Sequence, residues 1–322
     1  MKKRLAALFA LTALLCPPLS GAQAAEVNLI TDFGFNGRHA YFYVALDKGY
    51  YKAEGLDVNI LRGQGSADAI KKVASGAATM GFADAGSLVL ARGNDKVPVK
   101  MVAIVYATPP QAIFTLTESG ITAPKDLEGK TLADTASSSV RLLFPAYAEA
   151  AGIDASKVNW VTADGASLSS VLATKRADGI GQFLVGQPLV EKATAPNPVT
   201  ALAYKDAGLN FYSNGLIASE DTIAGQPEMV RAFVRATLKG MKDAFADPAE
   251  AAAIMHGYQK QIDPAVIEGE TRLVKELATV PGQPLGKIDP ARVKETVDVV
   301  SKYFKLNAPV DPKDVVVEGF VE

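Results

Sequence analysis

From Val27 onward, short β-branched runs alternate with stretches of helical periodicity. Strand patterns occupy 27–31, 56–61 and 79–83, and helical patterns fill 41–52 and 67–74 between them. The order returns further on: strand 130–134, helix 140–150, strand 158–162, helix 168–174, strand 179–183. Such alternation predicts parallel sheet with crossover helices, an α/β fold class. A shift of about a hundred residues sets the two units against each other, Ser66 on Ser167, Ile70 on Val171, Phe82 on Phe183, Leu88 on Leu189 and Val89 on Val190. The repeated order of elements, more than those few matches, argues for two similar lobes rather than one large sheet.

The connections suit that division. Thr108, Pro109 and Pro110 interrupt the pattern before an extended stretch at 111–117, and Asn197-Pro198 precedes a strand-like return at 215–219. The remainder reads as Ala-rich helices at 229–247, 249–258, 265–277 and 291–304. Pro227, Pro248, Pro264 and Pro290 fall in their first turns, three of them behind the capping residues Asp247, Asp263 and Asp289. These helices are expected to pack on the first lobe. Lobe 1 then comprises 26–110 and 215–305, lobe 2 comprises 111–214, and 306–322 is a C-terminal tail. Two crossings, near 108–111 and 214–215, hinge the lobes about a cleft.

Ahead of this, Lys2, Lys3 and Arg4 precede an apolar run at 5–16, two prolines, and the small-residue stretch Ala22-Gln23-Ala24. That is the anatomy of a secretory signal peptide over 1–24, too short in its apolar part to span a bilayer. Cys16 reads as filler within it, since Leu15 and Pro17 are poor neighbours for a lipid-attachment site. The expected mature protein is periplasmic and, as Cys16 is the only cysteine, free of disulfide, iron–sulfur or thiolate chemistry.

Composition narrows the chemistry further. With 48% hydrophobic and 21% charged residues, a 322-residue chain is a globular protein with material for two cores. Its 33 basic and 35 acidic residues, net −2, lack the cationic excess that nucleic acid requires. His39 and His256 are the only histidines and lie far apart, with no metal-ligand spacing about either, and no nucleophile-elbow motif occurs. No metal, cofactor or catalytic residue is expected.

In open α/β sheets ligands sit beyond the carboxyl ends of the strands. That rule selects Asp32, Phe33, Asn36 and His39 after the first strand, Gln64, Gly65 and Ser66 after the second, and Asp84 after the third. In the second lobe it selects Ser137, Ser138, Ser139 and Arg141, then Asp164, then Gln182 and Gln187. Phe33 is the favoured stacking ring for a flat ligand, among Phe35, Tyr41 and Tyr43 that can instead pack inward. His39 can donate to a ligand or cap the helix that follows. Gly63-Gln64-Gly65-Ser66 lacks the third glycine of a dinucleotide fingerprint and reads as an amide-lined turn for a polar or anionic group. Arg141 can complete a carboxylate or sulfonate site or lie solvated on its helix. Asp32, Asp84 and Asp164 are read as hydrogen-bond acceptors for a ligand amine or for loop backbone rather than as an acid–base pair.

The stretch 32–39, followed by Tyr43-Val44-Ala45, Lys48-Gly49-Tyr50-Tyr51 and Glu54-Gly55-Leu56-Asp57-Val58, resembles the opening of the NMT1/THI5-like, SsuA-like substrate-binding proteins of ABC transporters. The likeness continues through Ser75-Gly76, Met80-Gly81-Phe82, Asp126-Leu127-Glu128-Gly129-Lys130 and Pro227-Glu228-Met229-Val230-Arg231. The resemblance implies a two-lobed periplasmic binding protein fold of type II, a monomer that closes on a small ligand and delivers it to an ABC permease. Asp32, Phe33 and His39 keep the spacing of the branch that binds thiamine-precursor pyrimidines, with Phe33 where that branch has tryptophan. Sulfonate, taurine or nitrate binding is the alternative within the family; a periplasmic enzyme or a sensor subunit is the alternative outside transport. In the family's pyrimidine synthases a lysine and a histidine stand where this chain has Ala83 and Ser87, so the resemblance implies no synthase activity.

Overall fold

The computed structural model describes residues 24–321. The leader expected at 1–24, except Ala24, lies outside them. Twelve strands are described: β1 (Ala25–Ile30), β2 (Phe33–Gly34), β3 (Leu56–Leu61), β4 (Gly63–Gln64), β5 (Met80–Asp84), β6 (Val99–Ile104), β7 (Gln111–Leu116), β8 (Thr131–Asp134), β9 (Asn159–Thr162), β10 (Gly179–Phe183), β11 (Val199–Ala203) and β12 (Asn214–Ser219). Ten of them form one five-stranded sheet in each lobe, ordered β3-β1-β5-β12-β6 and β9-β8-β10-β7-β11, and β2 and β4 pair as a separate two-stranded sheet. In each five-stranded sheet the fourth strand, β12 or β7, runs antiparallel to its neighbours. The lobes therefore match strand for strand, and the reversed strand of each is the one entered directly from a crossing.

The crossings pair with one another. Val105 and Tyr106 both donate to the Asn214 carbonyl, at 2.9 and 2.8 Å, and Ser213 donates back to Tyr106 at 3.1 Å. Two adjacent strands of chain joining two separately sheeted bodies make a hinge axis.

Local chemistry explains most boundaries. Asp247, Asp263 and Asp289 accept from Glu250, Ala265 and Ala291 N–H groups, capping helices Pro248–Tyr258, Pro264–Ala278 and Pro290–Tyr303. The single helix expected over 41–52 is two, Ala40–Asp47 and Tyr50–Ala53, because Gly49 between them is left-handed at φ +70°. The C-terminal helices are not confined to lobe 1. Pro227–Ala246 and Pro248–Tyr258 pack on Ala40–Asp47, whereas Pro264–Ala278 also touches Gln187–Thr194, and Pro290–Tyr303 touches Ser139–Ala151, both in lobe 2. The expected tail belongs to the first sheet's edge: Val316 bridges Met101 of β6, and Val317 N–H donates to the Met101 carbonyl at 3.0 Å. No helix among the described residues is long and apolar enough to cross a membrane.

Candidate functional site

The carboxyl ends of β1, β5, β8 and β10 converge between the lobes, and the reversed strands bring their amino ends, Gln111 and Asn214, to the same place. The loop 32–39 forms its wall. Thr31 Oγ1 donates to the Gly34 carbonyl at 2.7 Å and accepts from Gly63 N–H at 3.1 Å, which fixes the small β2–β4 pairing and the position of Phe33. Phe33 is 9% exposed and meets Gly165 of lobe 2, where any Cβ would lie 2.6 Å from the ring.

Asp32 gathers three donors. Its oxygens accept from His39 Nε2 at 2.8 Å, Asn214 Nδ2 at 2.9 Å and Arg38 Nη2 at 3.3 Å. Burial works against its charge, but the guanidinium and the imidazole hydrogen bond outweigh burial and hold the carboxyl below its usual range. His39 is pushed down by burial, against the pull of Asp32. Its Nδ1 accepts from Asn36 N–H at 3.3 Å, so the neutral tautomer with the proton on Nε2 satisfies both contacts. Asn36 itself donates to the Phe33 carbonyl, which completes the loop.

A second buried network links the lobes at the hinge. Asp84 caps helix Ala85–Asp95 by accepting from Ser87 N–H at 2.7 Å, and its other oxygen accepts from Gln111 Nε2 and Ser213 Oγ, each at 2.9 Å. Ser66 Oγ accepts from Asp84 N–H at 3.1 Å. Burial raises the Asp84 carboxyl despite these bonds. The remaining cleft residues close the seam. Ser137 Oγ and Thr135 Oγ1 donate to the Gln64 carbonyl at 2.8 and 2.9 Å, and Ala67 N–H donates to the Ser137 carbonyl at 3.3 Å. Ser138 caps helix Ser139–Ala151, and Ser139 lies behind Gln111 at 3.4 Å.

Not every expected residue reaches the cleft. Arg141 lies over the Trp160 ring at 5.4 Å and donates to Thr162. Gln187 is bonded to Glu191 on its own helix. Asp164 sits at the rim, paired with Arg62 of lobe 1 at 3.1 Å. Gln182 faces the centre, its Oε1 accepting from Phe183 N–H at 2.8 Å and from Arg38 Nη1 at 3.4 Å. Arg38, Gln111, Phe183, Asn214 and Glu270 join the site without having been picked out. Gln111 and Asn214 escape the strand-end rule because their strands are reversed and present amino ends. Arg38 and Phe183 are direct neighbours of residues that were selected, and only Glu270 has no local signal.

Two cavities flank Phe33. The inner one, about 10 Å³, lies among Asp32, Arg38, Ser66, Ser138, Gln182 and Phe183. The outer one, about 540 Å³, is bordered by Phe33, Phe35, Arg62, Gly165, Lys192 and Glu270. The latter is of the size of small-molecule sites, and both lobes line it. No group of three or more His, Cys, Asp or Glu side chains fit to hold a metal occurs among the described residues. The arrangement offers acceptors, amides and rings around a small polar centre.

Comparison with known proteins places the chain in context. The family described as NMT1/THI5 like matches residues 36–251. The formylaminopyrimidine-binding protein of Halalkalibacterium halodurans is 27% identical over 89% of this chain and 88% of its own. The riboflavin-binding protein RibY of Chloroflexus aurantiacus is 32% identical over 70% of this chain and 64% of its own. More distant relatives in Legionella pneumophila and Aspergillus parasiticus are named 4-amino-5-hydroxymethyl-2-methylpyrimidine phosphate synthase. Among solved structures, the alkanesulfonate-binding protein SsuA of Xanthomonas axonopodis pv. citri, bound to MOPS, superposes with a TM-score of 0.73 at 15% identity, over 93% of this chain and all of that one. The shared fold is that of the periplasmic binding proteins.

Proposed function

The chain belongs to the NMT1/THI5-like family, and from that premise we propose that it is the extracytoplasmic substrate-binding component of an ABC importer, its ligand a flat nitrogen heterocycle of the thiamine-precursor pyrimidine kind. One observation carries the ligand assignment. The Arg38 guanidinium, a planar N–H-bearing group of the protein itself, lies against Phe33 of lobe 1 and Phe183 of lobe 2 and donates to the ionised Asp32. An aminopyrimidine has the same needs: a ring face on either side and a carboxylate for its amine. Closure about the paired crossings brings the two rings together, and a permease receives the ligand when they part. The names of two relatives point the same way, since formylaminopyrimidine and riboflavin both carry flat nitrogen-rich rings. Sulfonate or nitrate binding fits the site less well, because the cation at its centre, Arg38, is already matched by Asp32.

Thermal melting of the ligand-stripped protein against hydroxymethylpyrimidine, aminopyrimidines, riboflavin, taurine, alkanesulfonates and nitrate tests the assignment. A ligand at about a hundred times its dissociation constant adds roughly 2.7 kcal/mol and a readable upward shift. The expected result is a shift with the heterocycles that Phe33→Ala abolishes. A shift with sulfonates or nitrate alone overturns the pyrimidine assignment.

A further inference from the structure

Arg38 occupies the centre of the cleft although its charge is 1% exposed. It follows Gly37 in the single turn Gly37–His39, within the loop whose other members form the cleft wall. Its guanidinium carbon lies 5.8 Å from the Phe33 centroid and 5.0 Å from that of Phe183. One ring belongs to each lobe. Nη2 donates to both oxygens of Asp32 at 3.3 Å, and Nη1 reaches Gln182 of the second lobe at 3.4 Å. What space remains beside it amounts to about 10 Å³.

A guanidinium is a flat, delocalised cation with paired N–H donors in one plane and two faces that stack on rings. The amidine-like edge of an aminopyrimidine presents the same plane and the same donors. We propose that the Arg38 side chain is an internal occupant of the ligand seat, holding the lobes together through Phe33, Phe183, Asp32 and Gln182, and that ligand enters by displacing it. This rests on the reading of those residues as the ligand seat, and it makes Arg38 a specificity filter: only a group that replaces a flat donor edge between the rings recovers what the guanidinium gives up.

The displaced side chain has somewhere to go. Glu270 is fully buried, and one of its oxygens accepts from Arg38 N–H at 2.8 Å while the other has no hydrogen-bond partner. Glu270 and Phe33 both border the outer chamber of about 540 Å³. A guanidinium released from Asp32 therefore finds a carboxylate tied to its own backbone, with room beside it. An occupant of this kind lowers apparent affinity by the fraction of molecules in which it is seated.

The test is chemical rescue. In Arg38→Ala, methylguanidinium at millimolar concentration is expected to raise the melting temperature, methylammonium is not, and wild type responds to neither beyond the bulk effect. Aminopyrimidines are expected to bind the variant at least about tenfold more tightly than wild type, as removal of a seated competitor requires. Arg38→Gln, which keeps a planar donor, takes the same comparison if the alanine variant does not fold. The proposal is overturned if methylguanidinium and methylammonium act alike on the variant, or if aminopyrimidines bind it more weakly than wild type, which makes Arg38 a ligand contact instead. Rescue by methylguanidinium where neither wild type nor variant binds a pyrimidine supports the occupancy and removes the pyrimidine assignment, so the two readings fail separately.

Discussion

Glu270 and Asp134 are both fully buried carboxyls pushed up to about 7. Burial is the larger cause in each, resisted by Arg38 and the backbone N–H groups at Glu270 and by Ser138 and Thr135 at Asp134. A carboxyl whose pKa is higher folded than unfolded adds stability in full below its ordinary value, and that contribution is lost as pH rises through about 7. Asp32 works in the opposite direction, but its window lies below the ordinary carboxylate range. His39, held down by burial, favours folding as pH rises towards its ordinary value, so it partly offsets the two acids in wild type. Glu270→Gln isolates one of these effects. Relative to the variant, wild type is expected to lose on the order of 3 kcal/mol between about pH 4 and about pH 8. Denaturant unfolding of both proteins across that range measures it, and a difference that stays flat with pH refutes it. The same residues show what was legible at this scale. Asp32, Phe33 and His39 lie within eight residues of one another beside a readable strand end, whereas Glu270 meets Arg38 across 232 positions, a contact made only by packing of the last helices.

Strands with β-branched runs and helices with proline and aspartate at their starts were readable because their signals are local. β3 and β10 fall at the expected bounds, and the three aspartate caps form the expected bonds. Some elements escaped nonetheless. β6 and β11 are terminal strands of their sheets, but so are β3 and β9, which were readable, so position at a sheet's end is not what hid them. Helix Ala85–Asp95 carries Gly86 and Gly93, poor helix residues whose use is close approach to Leu143 and Leu306, both distant in sequence. The caps carry a measurable share of stability. Asp289 is bonded to Ala291 N–H at 2.9 Å and has no role in the cleft, so Asp289→Ala is expected to cost about 1 kcal/mol. In a chain of this size that corresponds to roughly 2–4 °C in melting temperature, with ligand affinity unchanged. A loss of affinity would mean that helix Pro290–Tyr303 also governs closure through its contact with Ser139–Ala151.

The repeated order of elements in the sequence becomes, at the scale of the molecule, two sheets of matching strand order whose strand-end loops meet along one seam. What holds the seam is a question of magnitudes. Arg62 with Asp164 and Lys192 with Asp263 bridge the lobes, but all four are substantially exposed, and such pairs contribute about 0–1 kcal/mol each. The tight contact is elsewhere. Gly65 has φ +143°, and a Cβ there would lie 2.3 Å from the Ser137 carbonyl oxygen of the opposite lobe. That separation excludes any side chain, and the oxygen is backbone, held by its bond from Ala67 N–H. Gly65→Ala is therefore expected to keep the lobes apart, with a larger radius of gyration by small-angle scattering and a loss of ligand affinity, in addition to local strain in lobe 1. Arg62→Ala is expected to leave the radius within error. If Gly65→Ala scatters as wild type does, the backbone seam is not what sets closure; if Arg62→Ala alone opens the molecule, the rim ion pairs carry far more than exposed pairs ordinarily do.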